Sequence, residues 1–241
     1  MDRLIYLSMS GAKATMPRQE TLANNLANVS TVGFRAELAA FRAVPVEGSG
    51  ASTRVYALES TPGYDATPGQ VAATGRNLDV AMGGASWLAV QGLDGTEAYT
   101  RGGSLDVNAE GTLTTVSGLT GLGDGGPIQV PPNTAVSIAA DGTVSSTAAN
   151  GRSTSVGKLK LVTPDALLAR GTDGLFRAAG GDLSADPAAR VQDGALEGSN
   201  VSAVETMVSM IAAARQFEAQ MKSLTTAEAN DKAAAQLLSV N

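Results

Sequence analysis

The sequence predicts an α+β protein, in which long N- and C-terminal helices form a coiled-coil layer and an antiparallel β-rich domain is inserted between them. Three observations carry this. Helix-type sequence occurs only from about Asp2 to Asn28 and from about Ser202 to Val240. Between them, short apolar runs alternate with turn dipeptides, the pattern of strands and hairpins. In the last segment, apolar residues step by alternating fours and threes, as in a coiled-coil seam.

In the first segment Leu4, Leu7, Leu22, Leu26 and Val29 share a helical stripe, while Gly11, Ala12, Ala14, Ala23 and Ala27 keep the helix narrow. Pro17 removes the bond to the carbonyl of Lys13, so either a kink or a fresh helix start is expected there. Gly33 follows the last periodic residue and supplies the positive φ expected to end the run. Asn24, Asn25 and Asn28 lie near this end. An amide on a seam fixes register and partner, and capping of the helix by Asn28 is the alternative reading.

Residues 36–75 hold Pro45, Pro62 and Pro68 among several Gly, Ser and Thr without sustained period, and read as an extended connector or small excursion. From residue 76 to 199 the strand runs are Leu78 to Met82, Trp87 to Val90, Leu105 to Val107, Leu113 to Val116, Ile128 to Val130, Val136 to Ile138 and Leu159 to Val162. Asp94-Gly95, Glu110-Gly111, Asp141-Gly142, Asn150-Gly151 and Asp173-Gly174 supply the turns.

Residues 200–241 give the clearest periodicity. Ala203, Met207, Met210, Ala214, Phe217, Met221, Leu224, Glu228, Asp231, Ala235 and Leu238 form the seam, and Ser202-Ala203-Val204-Glu205 is a capping box that begins it. Some 38 residues would span about 57 Å, too long for a compact domain to wrap, so the helix needs a partner along its length. Glu228 and Asp231 on the seam mean either that its apolar part ends near Leu224 or that a neighbour supplies donors.

Composition narrows the function. The 241 residues can bury a real core, but there is no Cys and no His. Disulfides, thiolate nucleophiles, Cys or His metal sites and His-centred triads are therefore excluded. The net charge is -6 and the 17 Lys and Arg are scattered, so nothing follows a phosphate backbone and nucleic acid is not expected as a partner. No stretch approaches the roughly 18 apolar residues of a membrane span. The start lacks the apolar run of a cleaved signal peptide, so any export is expected by another route.

Gly121, Gly123 and Gly126 match GxGxxG in form. Pro127 to Pro132 follow where a dinucleotide site requires a helix, so the glycines read as a turn between strands. Asp79, Asp94, Asp106, Asp141 and Asp173 mostly sit beside Gly in turns, where Asp satisfies its own backbone, and no acid/base constellation stands out. No cofactor, metal or small-molecule substrate is expected.

Asn25, Leu26, Ala27, Asn28, Thr31, Gly33, Phe34 and Arg35, read as Asn-Leu-Ala-Asn running into Thr-x-Gly-Phe-Arg, closely resemble the N-terminal signature of flagellar basal-body rod and hook proteins. Leu196, Glu197, Asn200 and Val201, with Glu205, Met210, Ile211, Arg215 and Phe217, resemble that family's C-terminal signature. Thr74 to Ala81, Tyr99 to Gly103, Glu110 to Leu113 and Val136 to Val144 resemble its β-domain motifs.

The resemblance implies a structural, non-enzymatic subunit of the bacterial basal-body rod, most like a proximal rod component. It would be exported uncleaved through the flagellar type III apparatus and assembled in the periplasm with other rod proteins and copies of itself. The assembly residues it implies are those of the two signatures together with Met207, Ala214, Met221 and Leu224. A distal rod or hook-family protein is the near alternative, and a secreted β-rich adhesin is the alternative from another class. Little in the sequence supports the latter, with one Trp and no His for sugar stacking or acid/base work.

Overall fold

The computed structural model describes residues 3–45 and 55–239. The side chains of Leu4, Leu7 and Leu238, expected on the helical stripes, lie outside the described residues, as do Asp2, Val240 and residues 46–54 of the expected connector. The architecture is α+β: a helix at each end and an antiparallel β-rich body between. Contacts group it into two compact units.

The helical unit contains α1 (Arg3–Ala27), a hairpin of β1 (Glu37–Pro45) and β2 (Val55–Tyr64), and α2 (Ala203–Ser239). α1 has 25 residues against the 37 of α2. It runs unbroken through Pro17, so no fresh helix begins there. The hairpin occupies residues 37–64 of the stretch expected as an extended connector or small excursion. Its register slips between Leu38 and Ala40, and Leu38 and Phe41 are both exposed, so the period-two signal that would have announced it is missing. Phe41 instead lies under Arg18 of α1, whose guanidinium carbon is 5.9 Å from the ring centre.

α2 packs along α1. Gly11 approaches Gln220 so closely that an added Cβ would stand 2.9 Å from the Gln220 amide carbon. On α1 the covered positions on the side of Gly11 include Ser8, Ala12 and Thr15, all small. On α2 they include Thr206, Ala213 and Ala227. Small side chains on both faces let the axes approach closely.

The β unit comprises residues 30–36 and 65–200. Its first seven strands are β3 (Val71–Ala73), β4 (Val80–Met82), β5 (Trp87–Gln91), β6 (Glu97–Thr100), β7 (Leu105–Val107), β8 (Leu113–Thr115) and β9 (Thr120–Gly123). β5 is central, paired with β6, with β9 and with Leu161–Val162, all antiparallel. Trp87, Leu88, Ala89 and Val90 are all buried, which explains why this strand is apolar without alternation. The core is Val80, Leu88, Val90, Leu105, Leu113, Val144, Leu159 and Leu161 with their neighbours. Ile128 to Val130, expected as a strand, makes only an isolated bridge between Thr112 and Gln129. Gly121, Gly123 and Gly126 lie in a hairpin of β9 with Gly126–Pro127.

The five turn dipeptides all place glycine in the left-handed region, with φ from 79° to 84° at Gly95, Gly111, Gly142, Gly151 and Gly174. Asp79, which lies within the expected strand run Leu78 to Met82, is not in a glycine turn like most of the other aspartates. It is 4% exposed and accepts hydrogen bonds from Thr74 Oγ1 at 2.7 Å, Arg76 Nε at 2.9 Å and Ser104 Oγ at 3.2 Å. Burial alone would raise its pKa, but these donors outweigh burial and hold it below the usual carboxylate range. A carboxylate depressed on folding stabilises the fold above its unfolded pKa, near 3.9, and loses that contribution as pH falls through the folded value. Urea titrations of the β unit should therefore show stability falling below about pH 4. Asp79→Asn should lower stability at pH 7 by about 1.5–3 kcal/mol and flatten the acid limb. An unchanged acid limb in that variant would remove Asp79 from the account.

Candidate assembly site

In the helical unit, Asn28 closes α1. Its amide donates to the Asn24 carbonyl at 2.9 Å, and its backbone N–H bonds the same oxygen at 3.2 Å. Gly33 has the expected positive φ, 70°, but the helix has already ended at Ala27, so capping falls to Asn28 instead. Asn25 is not on the face between the helices as expected. It is buried and paired with the backbone of Glu37 in β1, donating to the carbonyl at 2.9 Å and accepting from the N–H at 2.8 Å. Asn25→Ala should strand both groups and cost the hairpin about 1–3 kcal/mol, read as faster hydrogen exchange at the Glu37 amide. Leu26 is half-buried, and Ala27 and Thr31 are exposed.

In the β unit, the chain segments carrying the two signatures lie side by side. Gly33 N–H donates to the Glu197 carbonyl at 2.7 Å, and Asn200 N–H to the Phe34 carbonyl at 3.3 Å. The Asn200 side chain accepts from Ala36 N–H at 2.7 Å and donates to the carbonyls of Asp65 and Thr67, each at 3.0 Å. One amide thus joins three stretches of chain, a use of all its polar atoms that alanine cannot replace. Phe34 is buried beneath Arg170, whose guanidinium carbon is 4.4 Å from the ring centre.

Beneath this corner lies an ion triad. Glu197, fully buried, is flanked by Arg35 and Arg101, each 2% exposed. Arg35 Nη1 stands 2.6 Å from Glu197 Oε1, and Arg101 holds Oε2 through both Nε and Nη2. Oε1 also accepts the Gly69 N–H at 2.9 Å. Arg101 donates further to the carbonyls of Met82, Gly84 and Ser86. Burial pulls the pKa of Arg101 below the usual guanidinium value, while the charge of Glu197 opposes this. Leu196, the neighbour of Glu197, is half-buried, and Val201, in the helical unit, is too.

The C-terminal helix gives a different face from the expected one. The column Ala203, Met210, Phe217 and Leu224 is covered at least in part, but its companions are Thr206, Ala213, Gln220 and Ala227. These stand one residue before the expected Met207, Ala214, Met221 and Glu228. Met207 and Met221 are exposed, Ala214 is half-buried, and Glu228 sits in solvent paired with Lys232 at 3.0 Å. The shift follows from size, since the narrow face of α1 accepts Thr and Ala where Met would hold the helices apart. Val204, Met207, Val208 and Ile211, at spacings of three and four, form an exposed apolar stripe at the start of α2. Tyr6, Met9 and Met16 are exposed on α1.

Three family models match in chain order: flagella basal body rod protein over residues 5–35, the flagellar hook protein FlgE/F/G D1 domain over 81–146, and the flagellar basal body rod FlgEFG protein C-terminal region over 192–237. The flagellar basal-body rod protein FlgF of Salmonella typhimurium is 47% identical over 252 aligned positions that cover all of both chains. The chain belongs to the flagellar basal-body rod protein family. FlgF of Escherichia coli is 48% identical, again over all of both chains. The rod protein FlgG of Bacillus subtilis is 32% identical over 95% of this chain and 96% of its own.

As a rod protein the chain is a structural subunit of the FlgF-like kind. Several of the rod protein's corner residues were not legible beforehand. Arg101 lies 96 residues from Glu197 and Arg170 lies 135 from the Arg35 carbonyl it bonds. One signal was present for Glu197: period-two alternation puts it on the same face as fully buried Ala195, and a carboxylate there requires a cation. Among the described residues of this rod protein, no helix is long and apolar enough to cross a membrane.

Proposed function

We propose that this rod subunit assembles axially through its helical unit, whose terminal helices join those of neighbouring rod proteins and of further copies in a coiled-coil layer that transmits motor torque. It acts as a mechanical part and not as an enzyme, at the proximal rod in the periplasm, after uncleaved passage through the flagellar type III apparatus. One observation carries the reading. The most deeply covered helix positions are Ser, Thr and Ala, with Met210, Phe217 and Leu224 covered only in part, while Tyr6, Val204, Met207, Val208, Ile211 and Met221 are left outward. A free helix pair would bury the large side chains and expose the small ones, so the outward set is covered by neighbours. Repetition of such a contact in one direction generates a helical assembly.

Limited trypsin digestion of the purified monomer, followed by circular dichroism, tests this. Cleavage in both helices, at Lys13, Arg18, Arg215 and Lys222, is expected, with a β-rich product retaining residues 30–36 and 65–200. The sequence alone would start that product near residue 36. The buried triad shields Arg35, and no Lys or Arg lies between Arg18 and Arg35, so the product begins at Gln19. A monomer fully protected at both ends would count against partner-dependent helices.

A further inference from the structure

We propose that Glu197 is a completion latch: the β unit closes only when this late carboxylate reaches two guanidiniums already waiting in the chain, Arg35 at the opening of the unit and Arg101, 96 residues before Glu197. Both cations and the carboxylate are at least 98% buried. Arg101 directs its remaining donors to carbonyl oxygens, and Arg35 Nε and Nη1 make no aligned hydrogen bond among the described residues, Nη1 meeting Glu197 as an ion pair. Without Glu197 the unit would have to bury two like charges against each other, which desolvation and repulsion both oppose.

The part that yields is the Arg35 segment, because it is short and carries no ladder of its own. Its backbone is held from the far end of the unit through Gly33 N–H on the Glu197 carbonyl, Asn200 N–H on the Phe34 carbonyl and Ala36 N–H on the Asn200 side chain, beside which Asp65 N–H bonds the Ala36 carbonyl at 2.8 Å and Arg170 the Arg35 carbonyl at 3.3 Å. The corner written first in the chain is therefore fixed last. Any chain that ends before Glu197 keeps an open corner, and the signature is presented in its folded form only by a complete β unit. β5 and β6 and the core around them need no contribution from either signature, so they can close beforehand.

The test uses the full-length monomer and amide hydrogen exchange, and so is independent of rod assembly. Glu197→Gln keeps the shape and removes the charge. It should lower protection at the Gly33 and Ala36 amides by on the order of 100-fold or more. The triple variant Arg35→Met, Arg101→Met, Glu197→Leu removes all three charges at similar volume and should recover most of that protection, even if Glu197→Gln loosens the whole unit. In refolding with pulse labelling, the Gly33 amide should gain protection with the Ala195–Glu197 strand and after β5 and β6. Protection at Gly33 in Glu197→Gln within about threefold of the parent would overturn the latch. So would a triple variant as open as the single one, or protection at Gly33 before the Ala195–Glu197 strand.

Discussion

Gly33→Ala is expected to open the signature corner and abolish motility. Two separable effects act there. The residue has φ of 70°, where any side chain costs about 1–2 kcal/mol. A Cβ would also stand 2.2 Å from the Arg101 backbone carbon and 2.4 Å from the Gly102 nitrogen, both main-chain atoms that cannot step aside singly. Relieving the overlap moves the corner off Arg101 and breaks the 2.7 Å bond to Glu197, for a total of about 3–5 kcal/mol. Gly75→Ala is the control. Its φ of 73° is nearly the same, but a Cβ there meets nothing within 4 Å, so only the conformational cost of about 1–2 kcal/mol applies. Gly33→Asn, tolerant of that φ, should fail with Gly33→Ala. Denaturation midpoints of the three variants, beside swarming assays, decide it. Equal losses at Gly33 and Gly75 would show that close approach plays no part.

The second large effect is expected with no loss of fold. Replacing Met207, Val208 and Ile211 together by Asp should leave the monomer's stability within about 0.5 kcal/mol per site, because all three are at least half exposed. Yet each of these side chains contributes about 1.5–3 kcal/mol when covered by a partner. Their combined loss should reduce incorporation into the rod by more than about a thousandfold, since each 1.4 kcal/mol is a factor of ten. Ala213→Leu reverses the pattern. It crowds the narrow face toward α1 and should destabilise the helix pair by about 1–3 kcal/mol. Retained motility in the triple Asp variant would move the contact surface elsewhere on the chain.

These two regions also show how far the sequence could be read. The terminal helices, the β-rich middle and the five glycine turns are local properties, and each was legible in a window of a few residues. The register of α2 was not. Ala213 and Ala214 are equally apolar, so periodicity alone could not choose between adjacent columns, and the choice rests on the small residues of α1, some 200 positions away. The hairpin at Glu37–Tyr64 escaped because a register slip and exposed Leu38 and Phe41 erase its alternation. At the corner, the signature residues themselves were evident, but Arg101 was not assigned to Glu197, since no local pattern joins residues 96 apart. Asn25 was assigned to a helix seam because an amide's partner cannot be inferred from the amide.

The 2.7 Å bond between Gly33 and Glu197 has a consequence for how such a chain can vary. The polypeptide first enters the β unit and last leaves it at neighbouring points, so the stretch between, which includes the excursion of residues 37–64 into the helical unit, is closed at its base like a loop. Loop length adds to closure entropy only logarithmically. Turns of the β unit remote from this corner can therefore be lengthened or shortened at little cost, provided that Arg35, Arg101 and Glu197 are kept.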